Sequence, residues 1–254
     1  RPGLEELDVR VVRLEILDAS GRVVRGFTSG SDGYVYEEAQ GMRAPMVVRS
    51  GEPKVATSAG AHRFVWDLRH PGPVSPPVVT GLYGRPGTTG PLAAPGPYQV
   101  RLSVGDWSET RSLELRIDPR MPEEGIRVAD LRAQETLELQ IRDALHEAGL
   151  AAQELYELKE RATGAQADRL QALWDELVTV REGSYPPPML LDHIDYLRGM
   201  VSKGDGRPSE DGFTRFDILR ERLDDWMQRF QEARIVTEDG DAATGEDALF
   251  DGGP

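Results

Sequence analysis

The sequence predicts an α+β protein whose two structural classes are segregated along the chain: an antiparallel β-sandwich first, an antiparallel α-helical bundle second. Three observations predict it. Phe64, Trp66 and Leu68 alternate with Arg63, Val65, Asp67 and Arg69. Tyr98, Val100, Leu102 and Val104 alternate with Gln99, Arg101 and Ser103. A period of two puts one set on a buried face and the other in water, as in half-buried antiparallel strands. After Asp118-Pro119-Arg120 the apolar spacing lengthens to the helical 3.6, with Pro119 and Pro122 bracketing the change.

Each element follows in order. Val12, Leu14 and Ile16 alternate with Arg13 and Glu15, Asp18-Ala19-Ser20-Gly21 supplies a turn, and Arg22–Thr28 returns as the second strand of a hairpin. Tyr34–Tyr36 and Met46–Arg49 are weaker strands, and Phe64–Leu68 is a strong one. The stretch 71–97 holds Pro71, Pro73, Pro76, Pro77, Pro86, Pro91, Pro95 and Pro97. Such density forbids regular ladders and reads as a long surface loop of the first domain. A last hairpin joins Tyr98–Val104 to Arg111–Ile117 across Gly105-Asp106-Trp107-Ser108. The first domain is thus 1–119.

The second domain, 120–235, carries three to four helices. Leu137, Ile141, Leu145 and Ala148 mark a helix of about 128–162, and Leu170, Leu173, Trp174 and Leu177 one of about 166–181. Pro186-Pro187-Pro188 breaks the chain before a helix of about 189–202 with Leu190, Ile194, Leu197 and Val201. Phe216, Leu219, Leu223, Trp226 and Phe230 step three and four residues apart, the stripe of a packed helix. From 236 to 254, Glu, Asp, Gly and Ala dominate, which predicts a disordered acidic tail.

The 254 residues are 39% apolar and 29% charged, as in a soluble globular protein. A formal charge of −14 argues against nucleic acid and anionic membrane surfaces as partners, and no apolar run approaches the ~20 residues of a membrane span. The acidity is read as a solubility device. The absence of cysteine excludes disulfides and thiolate chemistry. There is no Asn, and Lys54, Lys159 and Lys203 are the only lysines among 30 basic residues. We read this bias as that of a GC-rich genome ahead of adaptation to heat. The first residue is Arg1 and no signal peptide precedes the first strand, so the expectation is a fragment or processed product of a longer protein.

Little in the chain points to chemistry. Of the four histidines, His62 and His70 flank the Trp66 strand, while His146 and His193 lie on different helices, without metal-ligand spacing. Asp239, Asp241, Glu246 and Asp247 lack the glycine-pivoted order of a calcium loop. Asp67 alternates away from the buried side and is expected to anchor a turn or pair with an Arg. There is no Gly-rich phosphate loop, no Gly-x-Ser-x-Gly elbow and no cofactor fingerprint, so no catalytic, cofactor or metal residue is assigned. Trp107 differs: a large aromatic on a hairpin turn is expected either to dock on another surface, the helical domain or a separate partner, or to cap the sandwich's own open end. With Leu82 and Tyr83 of the Pro/Gly-rich stretch it forms the candidate contact.

Val12-x-Leu14-x-Ile16 with Asp18-Ala19-Ser20-Gly21-Arg22, then Gly60-x-His62-x-Phe64-x-Trp66-Asp67, then Ala94-Pro95-Gly96-x-Tyr98-x-Val100-x-Leu102, resembles the immunoglobulin-like module of the flagellar hook-capping scaffold and its secreted relatives. The Pro-Gly-x-Tyr step suits a tyrosine corner, whose hydroxyl returns to the backbone. An insertion at about 71–90 departs from that module. Trp66-Asp67-Leu68-Arg69, Asp118-Pro119-Arg120, Asp130-Leu131-x-x-Gln134 and Leu197-x-Gly199-x-Val201-x-x-x-Asp205-x-x-Pro208 occur together with these blocks. The whole is similar to the C-terminal region of large bacterial secreted proteins with sialidase-type (BNR) repeats, relatives of the sortilin-like β-propellers. The resemblance implies an immunoglobulin-like sandwich and an exported, extracellular or periplasmic protein. It also implies a non-catalytic accessory module whose partners are the β-propeller domains of its own parent, with self-assembly as a further possibility. The alternative it implies is part of a glycan-acting, sialidase-like hydrolase whose site lies in a propeller outside this chain.

Overall fold

The structure, a computed structural model, describes residues 11–30, 53–79, 81, 86–180 and 186–244. Among them the chain is an α+β protein with one four-stranded antiparallel sheet and five helices. The strands are β1 (Val12–Leu17), β2 (Val23–Thr28), β3 (Gly96–Val104) and β4 (Trp107–Leu115), in the order β2-β1-β3-β4. The β1–β2 turn forms where the sequence places it. Gly21 takes φ +83°, and the Asp18 carboxylate accepts from the Ser20 amide at 2.9 Å and the Arg22 amide at 3.1 Å. Burial pushes that carboxyl up, but the hydrogen bonds from Ser20 and Arg22 outweigh it and hold the group below its ordinary range.

One face of the sheet carries a core of Ile16, Val24, Phe27 and Tyr98, with Val55, Phe64, Trp66 and Ala93 among the residues packed on it. Phe27 and Phe64 lie 4.6 Å apart, and Trp66 meets Tyr98 edge-on at 6.1 Å. The strand expected at Phe64–Leu68 does not form. Phe64 and Trp66 turn inward and Val65 outward, as the alternation requires, but the segment makes no ladder. Leu68 takes φ +60° and stays exposed, and the Trp66 indole donates to the Arg69 carbonyl at 3.0 Å. That local turn removes the chain from strand geometry, and Arg69 makes only an isolated bridge with Leu92. The weaker candidates Tyr34–Tyr36 and Met46–Arg49 lie outside the described residues.

The helices are α1 (Arg120–Glu123), α2 (Val128–Lys159), α3 (Gly164–Leu177), α4 (Leu190–Val201) and α5 (Glu210–Thr244). Helices α2, α3 and α4 start close to their expected positions, and α5 runs past residue 235. The apolar residues that marked each helix in the sequence are buried together: Ile141 of α2, Leu170 of α3, Ile194 of α4 and Leu223 of α5 are at most 1% exposed. The buried Trp226 indole donates to the Leu173 carbonyl at 2.9 Å, tying α5 to α3. Arg229 reaches Glu176 with both terminal nitrogens, at 3.0 and 2.6 Å. That pair, first of all its hydrogen bonds, holds the Glu176 carboxyl below the ordinary range.

The chain divides into two compact units, and the division corrects one expectation. The first unit takes the residues up to Pro71 together with Pro91–Arg132; the second takes Gly72–Gly90 with Ala133 onward. Within the Pro/Gly-rich stretch, Gly72–Gly90 therefore belong to the helical unit and are not a surface loop of the sheet unit, while Pro91–Pro97 stay with the sheet. Among its described residues only Gly96 and Pro97, at the start of β3, join a named strand, and Val79 is 1% exposed and sits in the helical core. The Val74 amide donates to His146 Nδ1 on α2 at 3.3 Å. Gly149 of α2 lies so near the same segment that a Cβ there would meet the Val74 carbonyl oxygen at 2.8 Å.

Candidate interaction surface

The β3–β4 hairpin is the most exposed regular element of the sheet. Its turn is Gly105-Asp106, tighter than the four-residue turn expected, because Val104 pairs directly with Trp107. Gly105 takes φ +56° while Asp106 does not take a positive value, the sign pattern of a type II′ turn with Gly first. Trp107 is thus the first residue of β4, not the tip of a loop, and it is 51% exposed. Every residue from Trp107 to Ser112 is exposed. Leu113 and Leu115 turn back toward the core.

Side-chain hydrogen bonds tie the hairpin to its surroundings. The Tyr98 hydroxyl donates to the Ala94 carbonyl at 2.7 Å in a buried setting, the return to backbone that the Pro95-Gly96-x-Tyr98 step predicts. On the opposite face Arg101 Nε donates to Glu15 Oε2 at 2.5 Å, directly across the β1–β3 register, with Glu15 only 5% exposed. Along β4, Arg111 pairs with Glu109 at 2.5 Å, both well exposed. Past the strand, Asp118 accepts the Arg120 side chain and amide. Those hydrogen bonds, the side-chain one first, hold the Asp118 carboxyl down at about 2.

Of the predicted contact residues, the structure places Trp107 on this exposed strand; Leu82 and Tyr83 lie outside the described residues. The histidines do not converge. His62 Nε2 bonds the Ser58 carbonyl oxygen at 2.6 Å, His146 accepts from Val74, and His193 is half-buried on α4 within the field of Arg215 and Arg222 of α5. Asp67 anchors a turn, accepting from the Arg69 amide at 3.1 Å. No group of three or more His, Asp or Glu that could hold a metal occurs among the described residues, and no helix among them is long and apolar enough to cross a membrane. A cleft of about 370 Å³ beside α1 is lined by Ile117, Pro122, Gly125, Ile126, Arg127 and Val128, a lining without a nucleophile or a carboxylate.

Two polar anchors escaped the sequence reading. Gln134 Nε2 donates to the Val201 carbonyl at 2.9 Å and the Gly204 carbonyl at 2.7 Å, while its Oε1 accepts from the Gly206 amide at 3.1 Å. One side chain of α2 thus ties the end of α4 to Gly204 and Gly206 of the loop that follows. No hydrophobic spacing marks it, because its partners are backbone groups 67 to 72 residues away. Thr179, 2% exposed, donates to Asp192 and accepts from the Met189 amide at 3.0 Å, closing the start of α4. No family model matches the chain, and no similar curated protein or solved structure was found.

Proposed function

We propose that this chain is a non-catalytic accessory module of an exported β-propeller protein, bracing the propeller or mediating its assembly outside the cytoplasm. The observation that carries the reading is the β3–β4 hairpin, tied at its base by the Tyr98 hydrogen bond to Ala94 and exposed from Trp107 to Ser112. A hairpin of that build offers a preordered aromatic anchor and loses little entropy on binding. In the same reading the sheet and the segment stacked on it belong to an immunoglobulin-like sandwich, and α2–α5 form an antiparallel bundle. The Tyr98 return to the backbone supports the first, and the shared burial of the four helices' stripes supports the second.

The test is capture of the parent's propeller domains by this chain, compared with its Trp107→Ala variant. Removing a central aromatic anchor typically costs ~2 kcal/mol or more, about thirtyfold in affinity. Unchanged capture by the variant, at an unchanged sheet signal in circular dichroism, overturns the reading. Glycan hydrolysis by the propeller that depends on adding this chain would replace it with the hydrolase reading.

A further inference from the structure

The open edge of the sheet is written in a form that matches itself. Among the described residues β4 pairs only with β3, so one side of β4 presents unpaired backbone. The other sheet edge is partly taken: the Thr28 carbonyl of β2 accepts from the Val55 amide at 3.2 Å. Val104 and Trp107 flank a two-residue turn and therefore form a hydrogen-bonded pair. Counting along the register, Glu109, Arg111 and Leu113 also point their amides at β3. Ser108, Thr110, Ser112 and Glu114 then point theirs outward. No proline interrupts Trp107–Leu115, and the β3–β4 register runs without a bulge.

The outward-pointing Thr110 is the centre of a palindrome in residue character: Trp107-Ser108-Glu109-Thr110-Arg111-Ser112-Leu113. An antiparallel two-fold pairing about Thr110 sets Thr110 opposite its copy, Ser108 opposite Ser112, Glu109 opposite Arg111 and Trp107 opposite Leu113. Directly opposed residues share a face, so both ion pairs fall on one side and the hydroxyls on the other. The outward amides and carbonyls of Ser108, Thr110 and Ser112 would complete about six ladder hydrogen bonds. Charges on an edge strand usually repel another edge. Here Glu109 and Arg111 have opposite signs and sit symmetrically about the centre, so a second copy meets attraction. Beyond Leu113, Asp106 would face Glu114, which ends the pairing at the turn.

We infer that β4 is a self-association edge whose partner is a second copy of this chain, joined antiparallel about Thr110 into one continuous sheet. This rests on the reading of the hairpin as an assembly element and names one partner for it. The short edge makes a weak, concentration-dependent dimer.

The experiment is sedimentation velocity on the full chain across a concentration series, with Glu109→Arg, Arg111→Glu and their equimolar mixture. The wild type should dimerise. Each single variant places like charges opposite each other twice, and its dimer affinity should fall about ten- to a hundredfold. In the mixture every opposed pair again has opposite signs, so a heterodimer should return at wild-type strength. Unfolding of the variants cannot produce that recovery. A monomeric wild type, a single variant that still dimerises, or a mixture that stays monomeric overturns the inference. These outcomes are separate from propeller capture: loss of self-pairing with Trp107-dependent capture retained leaves the functional reading standing.

Discussion

Gly149 gives a test whose sign depends on where the Pro/Gly-rich stretch lies. In the interior of a solvent-facing helix, Gly→Ala stabilises by about 1 kcal/mol, since alanine restricts the unfolded chain and favours the helix. Gly149 is in the middle of α2, but a Cβ there would lie 2.8 Å from the Val74 carbonyl oxygen and 3.3 Å from Pro76 Cδ. The first distance is shorter than carbon and oxygen tolerate, and the atom in the way is backbone, so α2 or the 72–79 segment must shift. Overpacking of this kind typically costs about 1–3 kcal/mol. Displacing Val74 also lengthens its 3.3 Å hydrogen bond to His146, worth about 0.5–1.5 kcal/mol. The losses exceed the propensity gain, and Gly149→Ala should destabilise by about 1–2 kcal/mol. Gly199 of α4 is the matched control: its Cβ would meet nothing within 4 Å, so Gly199→Ala should stabilise. Urea denaturation reads both signs, and hydrogen exchange at Val74–Val79 should accelerate in the Gly149 variant alone. If both variants stabilise by the same amount, the 72–90 segment does not pack on α2.

Three further outcomes are expected. Tyr98→Phe removes a buried 2.7 Å hydrogen bond and leaves the Ala94 carbonyl without it, so the sheet unit should lose about 1–2 kcal/mol in thermal unfolding with its strand signal kept. Gln134→Ala releases three backbone contacts of the α4–α5 loop, and amide exchange at Gly204 and Gly206 should rise by an order of magnitude or more while α2 stays protected. His193 is held below its ordinary 6.5, by burial first and then by Arg215 and Arg222, against the opposing pull of Asp192. Its folded form favours the neutral ring. The corresponding stability is complete above 6.5 and is lost as pH falls through the lowered value. Urea midpoints near neutral pH and at about pH 5 should therefore differ less in His193→Gln than in the wild type.

The helices were legible because a sustained 3.6-residue apolar stripe arises almost only from a helix with one buried face: Phe216, Leu219, Leu223, Trp226 and Phe230 are all buried as spaced. The Phe64–Leu68 segment shows the limit of a two-residue period. Alternation reports which side chains face the core, and an extended segment lying across a sheet alternates as a paired strand does; partner strands leave no local mark. Proline density in 72–90 argues against long ladders, but it says nothing about burial. The adjacent Val78 and Val79 were the available sign that this stretch had a core to enter. Trp107 was misplaced by turn length alone, since Gly105 with its positive φ closes the hairpin in two residues. Gln134 and Thr179 act on backbone groups distant in sequence, and hydrophobic spacing carries no record of such bonds.

The excursion of 72–90 has a consequence for the order in which the protein can be completed. Strand β1 pairs with β3, so closing the sheet draws together segments that flank the excursion in the chain. During synthesis Val79 emerges before any residue of α2–α5, and it waits in water until the helices that enclose it exist. The sheet unit can finish once residues through Arg132 have emerged; the helical unit needs a piece made before β3 and another made after it. A fragment cut at the change of period, beginning near residue 120, would lack Val79 and the contacts on Gly149 and His146. It should behave as a helical unit with a hole in its core, whereas a chain nicked inside 72–90 would still hold Val79 for that core.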